Sequence, residues 1–433
     1  MKKYLTIIVT VFLVTVLTSC GNDSDDVDTI GADRTTISLA VVDLVPLYEV
    51  DEITWFVSMF NTRNRHYRIE VINYTNDDLM RLRTEVMAGG GPDIVYSLFY
   101  EDSLFRPMMN RGILADLWPF IDSDPKIGRE DFFQNILEAK QSPDGSLQLI
   151  ANQFTIDTII SIPSILDSPE SFTTAKFLEL TRDAIDTGMT YPMGNYITGS
   201  DFFLMSLLLV DFGIIDLDAG VSDFETQKFY DLLDITSLLP GEAAMEPNAS
   251  IYRSMTTGEQ LFTNSGIPNA FLFARYETIL GLDDFIILGY PSDAGGIHGA
   301  YMRSNIGINA SSDYQDAAWS FIRSLLLNTA PLDIQFGFPV RIDAFEEQLE
   351  VAMELSWVTH DGGVQIRIHG LTEDGASDLR ELVESISFVS HYNQIILEIL
   401  MDELSPFLAG NRTAEDTARV MQNRVQMYLH ERG

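Results

Sequence analysis

Between Thr36 and Tyr96 the chain changes hydrophobic period four times, and that alternation constrains the fold more than any other feature. Thr36 to Val42 (TISLAVV) is a short, β-branched apolar run of the kind buried on both faces of a sheet. Asp51 to Asn61 then places Ile53, Phe56, Val57 and Phe60 at helical spacing. Tyr67 to Tyr74 (YRIEVINY) returns to period two, with Tyr67, Ile69 and Val71 on one face. Asn76 or Asp77 is placed to cap a second helix, whose stripe is Leu79, Leu82, Val86 and Met87 and whose end is Gly89. A short strand, Asp93 to Tyr96, follows. Strand–helix–strand–helix–strand predicts a largely parallel sheet covered by helices, an α/β lobe.

The rest of the chain predicts a second lobe richer in helix. Phe172 to Ile185 and Gln227 to Leu238 read as surface helices, Ala270 to Ala274 and Phe285 to Leu288 as strands. Asn305 to Asn309 reads as a further strand, followed by a helix from Asp313 that carries Ala317, Ala318, Phe321, Ile322 and Leu325. Ile395 to Leu404 and Thr413 to Leu429 close the chain as helices. No long linker separates the regions, so the chain is expected to cross between the lobes several times. The tryptophans Trp55, Trp118, Trp319 and Trp357 lie in helical or apolar stretches and read as core.

The N-terminus carries an address. Lys2 and Lys3 precede an apolar run from Tyr4 to Leu17, too short for a comfortable membrane span. The run ends in Leu17-Thr18-Ser19-Cys20-Gly21, which resembles the lipobox of bacterial lipoproteins. The resemblance implies cleavage before Cys20, two acyl chains on it, and an extracytoplasmic protein held on the membrane by lipid. Gly21 to Asp33 has five aspartates and few apolar side chains, the composition of a flexible tether. Cys20 is the only cysteine, which excludes an intramolecular disulfide framework and a thiolate metal site.

Charge removes further classes. The chain has 27 Lys and Arg against 64 Asp and Glu, a net −37. Such a field repels nucleic-acid phosphates, so no nucleic-acid partner is expected. No phosphate loop, H-E-x-x-H or G-x-S-x-G motif is present. The six histidines are scattered, and neither Asp122-Ser-Asp124 nor Asp216-Leu-Asp218 has the register of an EF-hand, so no metal or cofactor is expected. A glycosidase would need two carboxyls about 5–10 Å apart across a sugar, a geometry that spacing alone does not select among so many acids.

Several stretches together carry a family resemblance. Ala88-Gly-Gly-Gly-Pro-Asp-Ile-Val-Tyr96 and Arg111-Gly112-Ile-Leu-Ala-Asp116-Leu-Trp-Pro-Phe-Ile-Asp122 look like the first-lobe signatures of family 1 extracellular solute-binding proteins, the maltose-binding type of ABC-importer subunit. Asp144-Gly145-Ser146 before Leu147 to Ile150 resembles the strand leading to that family's first hinge crossing. Gly258-Glu259-Gln260, Gly289-Tyr-Pro291 and Ala317-Ala-Trp319-Ser-Phe321 resemble later elements in the same order. The family's Trp-rich stretch is replaced here by Ile267-Pro-Asn269-Ala-Phe271.

The resemblance implies a type II periplasmic-binding-protein-like fold with a cleft between two lobes. It implies a signal peptide at residues 1–19, a tether at 20–35, a first lobe from 36–152 with about 303–337, and a second from 153–302 with about 338–433. It further implies a monomeric carbohydrate receptor, not an enzyme, that closes on its solute and delivers it to the permease transmembrane subunits. Candidate cleft residues follow the strands or sit at the crossings: Asp43, Tyr48, Tyr100 and Glu101 in the first lobe, and Asn152 and Gln153 at the first crossing. In the second lobe they are Tyr191, Tyr196, Asn269, Phe271 and Tyr392. Aromatic faces and amide or carboxylate groups are what a pyranose ring and its hydroxyls require. Asp93 reads as structural, bonded by the amides of its own turn, and Arg63, Arg65 and Arg68 read as surface.

Overall fold

The structure is a computed structural model, and it describes residues 34–43, 51–75, 78–98, 102–166, 168–194, 196–208, 212–217, 219–242, 251–264, 266–281, 285–328, 337–361, 363–390 and 393–431. Two sheets organise them. The first has the order β11-β3-β1-β2, with β1 (Thr35–Asp43), β2 (Tyr67–Thr75), β3 (Ile94–Ser97) and β11 (Asn305–Ile308). β1 runs parallel to both β2 and β3, and β11 closes the edge antiparallel to β3. This is the α/β lobe predicted from the alternating periods, with each strand end within two residues of the predicted one.

The helices fall where the apolar spacing put them, at Asp51–Arg63, Leu79–Met87 and Gln315–Leu327. Asn76 and Asp77 lie outside the described residues, and the helix Leu79–Met87 begins after Asp78 without a side-chain cap. The three-glycine turn after it needs left-handed backbone: Gly89 and Gly91 have φ of 77° and 81°. Asp93 differs from the expectation. Its carboxylate accepts from the Ser38 amide at 2.7 Å, the Ser38 hydroxyl at 2.6 Å and the Ser312 hydroxyl at 2.6 Å. It thus ties β1 to the segment after β11 and not to its own turn. Removing an acceptor of three such bonds leaves two hydroxyls and an amide to find new partners. Asp93→Ala is expected to lower stability by about 2–4 kcal/mol in denaturant titration.

The second sheet has the order β12-β4-β10-β9-β5-β8, with β15 beside β10. Its strands are β4 (Gln153–Asp157), β5 (Ile159–Ser161), β8 (Thr263–Asn264), β9 (Ile286–Ser292), β10 (Gly295–Met302), β12 (Phe338–Pro339) and β15 (Ile386–Val389). Two ribbons stand apart, β6 (Ile215–Asp216) with β7 (Val221–Ser222), and β13 (Trp357–Asp361) with β14 (Val364–Ile368). Helices Thr174–Asp186, Gly199–Leu208, Gln227–Leu238, Gln394–Leu408 and Ala414–Glu431 cover one face around Phe177, Phe202, Phe229, Leu400 and Val425.

One predicted strand is a helix. Ala270 to Ala274 opens the helix Ala270–Leu280, capped by Asn269, whose side chain accepts from the Leu272 amide at 2.9 Å. Its buried residues Ala270, Phe273, Ala274, Glu277 and Leu280 recur at helical, not alternating, spacing. Leu147 to Ile150 forms only a single bridge, Ile150 with Ile306. Trp118 and Trp319 are core, and Trp357 is partly buried on Phe271, but Trp55 is 49% exposed.

The chain passes between the sheets at three places that lie against one another. Ile150 and Ile306 exchange both backbone bonds, at 3.0 and 2.9 Å. The Val340 amide donates to Asn152 O at 3.2 Å, and the Ser304 hydroxyl bonds the Asn152 side chain. Beneath them the buried Lys140 ammonium donates to Asn305 Oδ1 at 2.9 Å. One apolar core, from Ile37 and Phe60 through Phe154 to Phe273 and Leu379, runs continuously past these crossings. No helix among the described residues is long and apolar enough to cross a membrane.

Candidate functional site

In open α/β sheets, ligands bind beyond the carboxyl ends of the strands. Here a cavity of about 700 Å³ lies between the two sheets' helices. Arg106, on the helix Asp102–Asn110 that follows β3, and Ala139 line it from the first side. Phe212 to Leu217, Ile297, Ser387 to Ser390 and Asn393 line it from the second. The volume is within the range that encloses a small organic solute.

The floor on the second side is built by strand parity. Ile297 faces the cavity, so Gly299, two residues on in β10, shares its face. Asp157 of β4 pairs directly with Gly299 and stands beside it. Phe388 of β15 lies across Gly299: a Cβ there would come within 2.5 Å of Phe388 Cζ. A bare glycine therefore lets the far end of an aromatic ring lie against the sheet, and Phe388 forms part of the cavity wall. Tyr290 of β9 is the next ring, 6.4 Å away centroid to centroid.

The polar groups near the cavity fall in hydrogen-bonded pairs. Ser390, at the end of β15, donates to Asp157 Oδ2 at 3.0 Å and also lines the cavity. Loss of water around Asp157 pushes its carboxyl up to about 7, the Ser390 bond offsetting this only in part. The group therefore titrates near neutrality and holds the Ser390 hydroxyl, which lines the cavity. Tyr290 donates to Asn264 Oδ1 at 3.3 Å, and burial, with the nearby Asp157, holds its phenol well above the usual range. Tyr196 OH and Thr263 Oγ1 are 3.0 Å apart, and burial raises the Tyr196 phenol also. On the opposite face of β10, His298 is kept neutral by burial, its pKa lowered to about 4.

The predicted site residues fall into three groups. Tyr48, Tyr100, Glu101 and Tyr392 lie outside the described residues, as does Cys20; of Asp43 only the backbone is described, at the end of β1 beside Thr75. Asn152 and Gln153 are buried in the first crossing. Tyr196 bonds Thr263 and is not among the residues lining the cavity, and Tyr191 donates to Glu242 O at 3.4 Å. Asn269 is a buried helix cap and Phe271 packs edge-on against Trp357. Sequence reasoning missed Asp157, Tyr290, Phe388 and Ser390. A signal existed for the first: Asp157 is a lone acid in the apolar run Phe154 to Ile160. Asp122 and Asp124, weighed as a cation loop, are occupied by Arg129 and by Arg323 with Trp319. Among the described residues no cluster of three or more His, Cys, Asp or Glu is placed to hold a metal.

No family model and no curated protein matches this chain. Solved structures do. A sugar-binding protein, MalE, from Xanthomonas citri is 15% identical with a TM-score of 0.57, over 92% of this chain and 98% of its own. An ABC substrate-binding protein from Listeria monocytogenes, in complex with cycloalternan, is 15% identical with a TM-score of 0.54, over 92% and 100%. A cyclic alpha-maltosyl-1,6-maltose binding protein from Arthrobacter globiformis is 16% identical with a TM-score of 0.53, over 92% and 100%. At this identity the likeness establishes the fold. The chain has the two-lobed α/β fold of ABC solute-binding proteins, as the sequence motifs led us to expect.

Proposed function

We propose that the chain is the extracytoplasmic solute-binding subunit of an ABC importer, held on the membrane by lipid at Cys20. It captures a mono- or oligosaccharide by closing two lobes and passes it to the permease without chemical change. The lobes divide at the three crossings, near residues 152, 303 and 338. The observation that carries the reading is the interlobe cavity, with an aromatic floor at Phe388 beside the Ser390 hydroxyl, which bonds Asp157. Apolar ring faces take the C–H face of a pyranose, and polar groups such as Ser390 and Asn393 take its hydroxyls. The likeness to structures whose names include sugar-binding proteins supports the same class. Closure by hinge bending is a common mode for a ligand held between two such lobes.

A thermal-shift screen of the chain against mono- and oligosaccharides tests the ligand class. A ligand at a hundred times its dissociation constant adds about 2.7 kcal/mol and raises the melting point by several degrees. A shift confined to one saccharide class, with the sugar recovered intact, is the expected result. A sugar consumed during the assay assigns the cleft to a glycoside hydrolase. A shift only with non-sugar solutes keeps the receptor and changes its cargo.

A further inference from the structure

The cavity wall from Phe212 to Leu217 belongs to neither large sheet and is carried by the ribbon β6–β7. Two strands of two residues each are too short to hold their shape by their own pairing. The base of the ribbon is fixed by buried Phe212 and Phe224 and by Lys228 Nζ, which donates to Phe212 O at 3.0 Å. Within the ribbon the Asp223 amide donates to Ile214 O at 2.8 Å, and the Asp216 carboxylate accepts from the Ala219 amide at 2.8 Å. The outer edge of β7 meets no other strand among the described residues. Two side chains of the helix Ala414–Glu431 stand in its place. Gln422 Nε2 donates to Ser222 O at 2.8 Å, and its Oε1 accepts from the Phe224 amide at 2.8 Å. Gln426 Nε2 donates to Gly220 O at 2.8 Å, and its Oε1 accepts from the Ser222 amide at 2.9 Å.

Two periodicities explain the fit. Residues four apart on a helix are about 6 Å apart along its axis, and residues two apart on a strand are separated by about 6.6 Å. Two amides at i and i+4 therefore meet the edge of a strand in register. Each fills one donor and one acceptor, as a neighbouring strand would. The same helix also reaches a lining residue of the cavity, since Asn393 Nδ2 donates to the Tyr428 hydroxyl at 3.2 Å. Neither glutamine itself lines the cavity. We propose that Gln422 and Gln426 are positioning residues for solute binding: they hold the ribbon as a wall of the cavity and so set how long a solute stays, without touching it. A wall in place only part of the time lowers the apparent affinity by that fraction. The loss falls on the dissociation rate, where most changes at one interface are expressed. The effect on a solute rests on the receptor proposed above; the placement of the wall does not.

The test compares the full chain with Gln422→Met/Gln426→Met, which keeps side-chain length and helix propensity and removes the bonds to the ribbon backbone. Glucose, maltose, maltotriose and cellobiose are the probes, with binding and release followed by stopped-flow on the intrinsic fluorescence. We expect release to accelerate by about fivefold or more, with association changed by less than about twofold. Asp93→Ala, which loosens the first lobe, should lower the melting point and leave the release rate unchanged. An unchanged release rate in the double variant, or the same acceleration in Asp93→Ala, overturns the proposal. If none of the four sugars binds the wild type, the solute class proposed above fails for them, and residue-resolved hydrogen exchange of the ligand-free chain decides on the wall. The Asp223 amide is bonded within the ribbon and to neither glutamine, so it reports whether the ribbon holds its shape. Its protection should fall by about tenfold in the double variant while the helices Thr174–Asp186 and Gln227–Leu238 keep theirs. Unchanged protection of Asp223, or a loss spread over those helices too, overturns the proposal. Should the double variant not fold, Gln426→Met alone is measured against the same criteria.

Discussion

Asp157→Asn is expected to make the ligand-free protein more stable above neutrality and to turn a nearly flat pH response into one that rises from about pH 4 to 6.5. The folded carboxyl titrates near 7, against 3.8 for an unperturbed one. Between those values the folded state holds more protons than the unfolded state, so this group's contribution falls as pH rises from about 4 to 7. Above 7 the folded protein carries the whole cost of an ionised, poorly hydrated carboxylate, at most about 4 kcal/mol from the shift. His298 acts in the other direction. Its folded pKa of about 4 lies below the usual 6.5, so the unfolded state takes up protons first and stability is lost as pH falls through that interval. In the wild type the two slopes nearly cancel between pH 4 and 6.5. Asp157→Asn therefore leaves a protein whose stability rises with pH from about 4 to 6.5, and His298→Phe one whose stability falls from about 4 to 7. Melting curves of both variants across this range provide the check; slopes of the same sign would show that one of the two environments is wrongly assigned. Asp157→Asn should also weaken ligand binding by a few-fold, because Asp157 holds the Ser390 hydroxyl that lines the cavity.

The second large effect belongs to Gly299. A side chain at this position meets Phe388 at 2.5 Å from Cβ, and the atom it meets is the far end of a ring that can turn. Gly299→Val should push that ring off the sheet into the cavity. The backbone requires no left-handed conformation at this residue, so the sheet itself is spared. We expect solute affinity to fall by more than tenfold while the melting point drops by only a few degrees. Phe388→Ala in the Gly299→Val background should then recover part of the affinity. Binding unaffected by Gly299→Val would mean that solutes do not touch the Phe388 floor.

The first lobe was readable because its signals are local. TISLAVV and YRIEVINY are dictated by period, and the helices between them by stripes such as Leu82 and Val86. Ala270 to Ala274 was misread because Phe271 and Phe273 alternate over so short a window; Asn269 is the start signal that decides for a helix. The site was less legible for a different reason. Asp157, Tyr290, Gly299 and Phe388 come from four strands, and only the register of the second sheet brings them together. Aromatics and amides chosen by proximity to a turn, such as Asn269 and Phe271, were drawn instead into a cap and a core contact. Asp93 was recognised as structural, but the partner it holds, Ser38, lies 55 residues away and only strand pairing reveals it.

The central claim is capture of an intact saccharide by closure of two lobes, and small-angle X-ray scattering of the chain with and without ligand tests it most directly. The ligand is whichever saccharide shifts the melting point, and the sample is assayed afterwards for unchanged sugar. The account predicts a radius of gyration that contracts at saturation by one ligand per chain, absent in Gly299→Val, with the sugar recovered whole. Saturable binding with an unchanged scattering profile would contradict closure, and loss of the sugar would contradict a receptor.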